Sequence, residues 1–277
     1  MLNRPLCMFA MISLVLMGCN GMDVTRVQNQ KTVETSSHIK DEQKEVELSE
    51  KQEKPIEKGK AEGEKVQVQY RLNEANWSFE PIKDADPKVV LLTFDDAPDK
   101  YSLDIAKTLH ELQVPAIFFV NGHFIEDDEK KKILKEIHDM GFLIGNHTYS
   151  HVNLKEQTDV VQKKEIVKLN DLVEEIVGER PKFIRAPFGT NTEYSKGIAK
   201  QEKMLVMNWT YGYDWEKEYQ NDKALTNIML NSPYLSNGAN LLMHDRKWTH
   251  DAIEDIVNGF QKKGYTFLDP RLIETPA

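Results

Sequence analysis

The sequence predicts an α/β fold: a parallel sheet curled into a distorted barrel of seven or eight β/α units, written (β/α)7-8. Two observations carry this. From residue 66 onward, short apolar runs alternate with longer amphipathic ones, the pattern of parallel strands joined by crossover helices. The polar residues Asp95, Asp96, His147, Arg185, Asp214 and His244 each fall at or just beyond the C-terminal end of an apolar run. A barrel gathers all such ends at one mouth, whereas an open sheet spreads them along an edge.

The strands expected are Val89 to Phe94, Ala116 to Val120, Phe142 to Ile144, Phe183 to Arg185, Leu205 to Trp209, Asn240 to Met243 and Thr266 to Leu268. Helical periodicity fills the intervals: Ser102 to Gln113, Asp128 to Met140, Asp159 to Val177, Glu193 to Lys203, Asp222 to Asn231 and Thr249 to Lys263. Gly141, Gly178 and Gly264 stand where three of these helices should stop, since glycine readily takes the left-handed conformation that ends a helix.

Ahead of this region the texture differs. Arg4 precedes an apolar run from Leu6 to Met17, and Gly18 stands directly before Cys19. The run is short for a bilayer span and resembles a bacterial lipoprotein signal, with an ordinary secretory signal or an uncleaved anchor as alternatives. On the first reading residues 1–18 are the signal and Cys19 the lipidated first residue of the mature chain. Cys7 is the only other cysteine, so no thiol would remain for a disulfide. Residues 19–65 are polar, rich in Lys, Glu and Gln and poor in aromatics. Such a stretch cannot bury enough apolar surface to fold and reads as a tether, on the order of 35 to 40 Å end to end as a flexible coil. The expected folded domain is residues 66–277.

The chain carries a formal charge of -9, with 40% hydrophobic residues. That is enough apolar material for one domain with a core, and the charge excludes nucleic-acid binding through a global basic field.

The chemistry-bearing residues lie in two groups. Asp95 and Asp96 end the apolar run that begins at Val89, and about fifty residues on, His147 and His151 stand four positions apart. One carboxylate and two imidazoles can hold a zinc-like ion with positions left open, which leaves the second carboxylate as a base. Inside a strand, adjacent side chains point to opposite faces, so the two aspartates can share one site only where the strand ends. The histidines share a face if helical, and can also converge from a loop.

Five stretches together resemble the ordered motifs of the NodB-type polysaccharide deacetylases, carbohydrate esterase family 4. They are Thr93-Phe94-Asp95-Asp96, His147-Thr148-Tyr149-Ser150-His151, Arg185-Ala186-Pro187-Phe188-Gly189, Asp214-Trp215 and Leu242-Met243-His244. The resemblance covers about residues 88–269 and implies a NodB homology domain with the barrel fold. It implies that Asp96, His147 and His151 bind a divalent metal, zinc first, with cobalt, nickel or manganese also suited to the donor set. It makes Asp95 the catalytic base, held ionised by Arg185, and His244 the general acid, paired with Asp214. The backbone N-H of Phe188 would help hold the oxyanion, and Tyr149 and Trp215 would meet the sugar. In two places the chain departs from the family. Ala97 follows the aspartate pair where glycine is usual, at a cost of roughly 1 to 2 kcal/mol if that position needs positive φ. The fourth motif lacks an earlier aspartate that many relatives carry.

The activity implied is removal of acetyl groups from an N-acetylglucosamine polymer, either peptidoglycan or exopolysaccharide, by a monomer anchored in the membrane through Cys19. Acetyl-xylan O-deacetylation, a non-catalytic glycan-binding lipoprotein and hydrolysis of a small cyclic amide are the alternatives. The motif carries its own logic. One carboxylate ligand leaves a dication site at net +1, so bound water is less acidified than at an all-histidine site and a separate base is useful. Amide cleavage also needs an acid, because the nitrogen must leave protonated.

Overall fold

The computed structural model describes residues 67–277. The expected signal, Cys19 and the tether lie outside the described residues. Eight parallel strands form one sheet: β3 (Val89–Ala97), β4 (Ala116–Val120), β5 (Leu143–Asn146), β6 (Phe183–Ile184), β7 (Leu205–Val206), β8 (Tyr211–Gly212), β9 (Ala239–His244) and β10 (Thr266–Phe267). Their order is β7-β6-β5-β4-β3-β9-β8, with β10 paired to the start of β3. The two ends of that order, β7 and β8, are joined by only four residues, 207–210. Four residues reach little more than about 14 Å, so the sheet curls until its edges nearly meet. This is the distorted, incompletely closed barrel that the alternation predicts.

An antiparallel hairpin of β1 (Tyr70–Asn73) and β2 (Ser78–Pro81) precedes the sheet. It places Phe79 and Tyr70 in a buried cluster with Val89, Leu91, Ile117, Phe119, Phe183 and Met207. These are alternate residues of their strands, so one face of the curled sheet is its interior, and the hairpin plugs the end opposite the site. The other face, which includes Val90, Leu92, Phe94, Phe118 and Val120, packs under the helices.

The helices are α1 (Ser102–Glu111), α2 (Asp128–Asp139), α3 (Asp159–Val177), α4 (Glu193–Gln201), α5 (Asp222–Asn231) and α6 (Lys247–Lys262). In α6, Ala252, Ile253, Ile256, Val257 and Phe260 form the buried stripe, the spacing of one helical face. Caps explain the starts: the side chains of Asp127, Thr158 and Asn221 accept from the N-H groups of Lys130, Val161 and Ala224, satisfying donors that the first turn leaves free. Gly178 takes φ +83° and ends α3.

Four differences from the sequence reading have physical causes. Strand β3 continues three residues past Phe94, through both aspartates to Ala97. The expected Phe183 to Arg185 ends one residue early, ahead of the turn Pro187–Gly189, and Leu205 to Trp209 shrinks to two residues because the chain leaves the ladder to carry residues 207–210 across the open seam. Helix α6 starts at Lys247 rather than Thr249. The hairpin and β8 are additional to the expected strands: β1 ends the alternating run Val66-Gln67-Val68-Gln69-Tyr70-Arg71-Leu72, whose period-2 pattern is a strand signal, whereas β8 is two residues long and carries no pattern of its own.

Candidate active site

Along β3, Val89, Leu91, Thr93 and Asp95 fall on the interior face by simple alternation. Asp96 should therefore face the helices. Instead it takes φ +61°, and the ladder to β4 shifts register between Phe94 and Ala97. This bulge rotates Asp96 to the same mouth as Asp95, using a left-handed conformation that aspartate tolerates better than most residues. The strain falls on Asp96, not on Ala97, which is fully buried and pairs with Val120; a glycine is not needed there.

His147 follows the end of β5, and its Nδ1 donates to the carbonyl of Arg185 at 2.7 Å. That bond fixes the tautomer and leaves Nε2 as the free nitrogen. Thr148 and His151 have positive φ, so the two histidines converge from a loop rather than one helical face. Asn146 holds the turn by accepting from the Thr148 N-H. His151 Nε2 lies 3.3 Å from Asp96 Oδ1, and His147 Nε2 lies 3.9 Å from it. For bonds of about 2.1 Å in a tetrahedral arrangement, ligand atoms stand roughly 3.4 Å apart. One donor atom from each of the three residues falls within 4.8 Å of the others, and the set fits a divalent ion. The charges agree with that role. Burial pushes the Asp96 carboxyl up, but His244, His147, His151 and Arg246 outweigh it and hold it below the usual range. Burial, then His147, keeps His151 below its ordinary value, which favours the neutral form that a metal ligand needs.

Asp95 is 2% exposed. Its Oδ1 accepts from Arg185 Nη1 at 2.7 Å, while Oδ2 stands 3.6 Å from His147 Nε2. Arg185 is wholly buried and, although its Nε has no hydrogen-bond partner among the described residues, is held through both terminal nitrogens. It donates to Thr93 Oγ1 and to the carbonyl of Asn208, and its guanidinium lies 4.4 Å over the Phe119 ring. Burial pulls the guanidinium below its ordinary value, and Asp95 opposes that.

Across the mouth, His244 Nδ1 donates to Asp214 Oδ1 at 2.7 Å, and the His244 N-H donates to Oδ2 at 2.6 Å. Thr249 Oγ1 also donates to Oδ2, and Trp248 Nε1 donates to the Asp214 carbonyl. The fourth motif is thus complete without the missing aspartate. Burial disfavours a charged His244, but the bonded Asp214, with Asp95 and Asp96, raises the imidazole above its ordinary value.

Asp95, Asp96, His147, His151 and His244 line a cavity of about 410 Å³, walled also by Phe188, Trp209, Trp215, Leu242 and Arg246. Phe188 takes φ +59° within the turn after β6 and is 66% exposed; Trp215 is 42% exposed, with its ring edge-to-face on His244. Tyr149, expected to meet the sugar, does not line this cavity. Its hydroxyl bonds to Glu126 and its ring sits under Lys168 Nζ. Tyr211 is a core residue whose hydroxyl donates to the Met229 carbonyl.

Three contributors escaped the sequence reading. Trp209 borders the cavity, and Arg246 Nη2 donates to Asp96 Oδ2 at 2.8 Å. The Asp245 carboxylate accepts from the N-H groups of Asp99, Tyr101 and Ser102, pinning the turn after β3 to the end of β9. A charged residue beside His244 at a strand end was the available signal for the last two.

The profile of the polysaccharide deacetylase family matches residues 82–207. A peptidoglycan-N-acetylglucosamine deacetylase of Bacillus cereus is 33% identical over 195 residues, 67% of this chain and 68% of that one. The peptidoglycan-N-acetylmuramic acid deacetylase PdaA of Bacillus subtilis is 29% identical over 185 residues, covering 65% and 69%. The solved structure of the peptidoglycan deacetylase PdaC from Bacillus subtilis superposes with a TM-score of 0.60 at 29% identity, over 67% of this chain and 90% of that one. Identity across two thirds of both chains, on a curled parallel sheet whose mouth brings the ordered motifs together, makes this chain a member of the polysaccharide deacetylase family.

Proposed function

We propose that the protein is a metal-dependent hydrolase that removes acetyl groups from an N-acetylglucosamine-containing polysaccharide, peptidoglycan or exopolysaccharide, at the cell surface. One observation carries the reading: an Arg-held carboxylate, Asp95, and an Asp-held imidazole, His244, line the same cavity as a three-residue metal-binding set. A base and an acid beside one electrophile position is what amide hydrolysis requires.

A divalent ion held by Asp96, His147 and His151, zinc first among those the donors suit, would supply positive charge that polarises the acetyl carbonyl. The chain's own groups do the rest. Asp95, paired with Arg185 at 2.7 Å, takes a proton from water as the water oxygen bonds to the carbonyl carbon. The backbone N-H of Phe188, in its left-handed turn at the cavity wall, donates to the developing oxyanion. His244, charged through Asp214, gives its proton to the amide nitrogen as the carbon-nitrogen bond breaks. Acetate and a free amine leave. The exposed faces of Trp215 and Phe188 offer apolar surface to a sugar ring.

Lipidation of Cys19 and a tether through residue 65 would hold this domain, as a monomer, beside the wall. None of the helices of the described residues is long and apolar enough to cross a membrane. The test incubates the zinc-loaded protein with N-acetylglucosamine oligomers, peptidoglycan fragments carrying N-acetylated muramic acid, and acetylated xylan, and measures released acetate. Acetate from the first or second substrate supports the reading. Acetate from xylan alone would replace it with O-deacetylation, and metal-bound protein that retains glycan without releasing acetate would make it a binding protein.

A further inference from the structure

The geometry points to Arg246 as a positioning residue that keeps Asp96 a one-oxygen donor and restrains the affinity of the site for its ion. This rests on the reading that Asp96, His147 and His151 hold a divalent metal. The two oxygens of Asp96 are divided between different partners. Oδ1 faces the histidine nitrogens at 3.3 and 3.9 Å, while Oδ2 accepts from Arg246 Nη2 at 2.8 Å. The guanidinium is fixed from its other side as well, since Nη1 donates to the Asp245 carbonyl at 3.0 Å. Asp245 is itself locked by the N-H groups of the turn after β3. Arg246 occupies the position before α6 but makes no side-chain cap there, so its side chain serves the mouth rather than the helix.

Two consequences follow from a cation in that place. Its bond to Oδ2 prevents the carboxylate from chelating an ion with both oxygens, which keeps coordination positions open for water and the acetyl oxygen. Its charge also repels a dication and weakens the carboxylate as a donor. Arg246 therefore lowers metal affinity while preserving the openness that turnover needs. An ordinary outer partner of a metal ligand does the reverse, strengthening binding by about 10- to 100-fold.

That opposition in sign makes the test decisive. The zinc Kd of the protein, Arg246→Gln and Arg246→Lys is measured by competition with a fluorescent chelator, alongside kcat, KM and the visible absorption of the cobalt-loaded forms. Circular dichroism checks that each variant is folded; the Arg246 side chain is 37% exposed, so neither substitution should unfold the domain. The expected result is that Arg246→Gln binds zinc about tenfold more tightly, on the scale of outer-partner effects, with kcat down at least about tenfold and KM changed less. Its cobalt band should weaken as coordination number rises, while Arg246→Lys, which keeps the charge, should stay near the parent affinity. Zinc binding that is weaker or unchanged in a folded Arg246→Gln overturns the proposal. A parent protein that binds no zinc or cobalt overturns the metal reading itself, and the two failures are told apart before any activity is measured.

Discussion

Replacing Asp214 with Asn keeps the shape of the residue but removes its charge and one of its acceptors. Asp214 is wholly buried and its carboxylate accepts three hydrogen bonds: His244 Nδ1 on one oxygen, and the backbone His244 N-H and Thr249 Oγ1 on the other. An Asn side chain has one acceptor oxygen and one NH2 donor. If the oxygen stays with the backbone N-H and Thr249, the NH2 faces His244 Nδ1, which must then accept. An imidazole forced to accept at Nδ1 cannot be doubly protonated without losing that bond. The partner charge that raises the His244 pKa is lost at the same time. An opposite charge in contact is worth about 1 to 3 pKa units, each equal to 1.36 kcal/mol. The ratio of charged to neutral imidazole therefore falls about 10- to 1000-fold at a given pH, and kcat falls with the charged fraction, most on the basic side of neutrality. The assay is acetate release from an N-acetylglucosamine oligomer between about pH 6 and pH 9. For the parent, the raised pKa means that kcat is full at low pH and declines as pH climbs through a value above the ordinary 6.5. In Asp214→Asn that decline should move to lower pH. A variant with kcat within about threefold of the parent and the same basic limb would refute the role of the pair.

Other substitutions separate the remaining roles. Asp95→Asn should bind one zinc as the parent does, yet turn over at least about 100-fold more slowly; metal content by atomic absorption and acetate release together check this. Arg185→Met leaves Asp95 as a buried charge without its cation and should cost about 3 to 5 kcal/mol in denaturant unfolding. Trp215→Ala removes an exposed ring from the cavity wall and should raise KM for oligomers several-fold, with kcat changed less, read from steady-state kinetics. The His244 and Asp214 pair should also give stability a pH signature. With the folded imidazole value raised, its contribution is complete below the unfolded value and lost as pH rises through the folded one, a trend visible in Tm.

The strands and helices that position the site were legible because each carries its own periodicity. The apolar run of β3, the stripe of α6 and the capped ends of α3 are local signals. Residues 70–81 form a hairpin that packs Phe79 and Tyr70 against the barrel interior; its local signals are the alternation into β1 and the turn residues Asn73 and Asn76, whose side chains accept from the Ala75 and Ser78 N-H groups, while its docking on the barrel depends on contacts far along the chain. The convergence of Asp95 and Asp96 depended on a bulge and a positive φ that no residue pattern encodes, since aspartate occupies that conformation without requiring it. The positive φ belongs to Asp96 and not to Ala97, so the condition under which alanine would be costly there is not met. Arg246 and Asp245 reach partners about 150 residues away, so only the folded chain reveals what they hold. Tyr149 stands inside a motif yet packs outward onto Glu126 and Lys168, because the positive φ of Thr148 and His151 brings the histidines inward from a loop.

The central claim is that Asp95 and His244 hydrolyse an acetamide beside the Asp96, His147 and His151 set. The measurement that meets it most directly follows acetate and free primary amine together, from one defined N-acetylglucosamine oligomer, with the zinc-loaded protein and with zinc-loaded Asp95→Asn. The account predicts both products in equal amounts from the parent and neither at a comparable rate from the variant. Acetate without a matching amine, equal rates from the two proteins, or no product from zinc-loaded parent would contradict it.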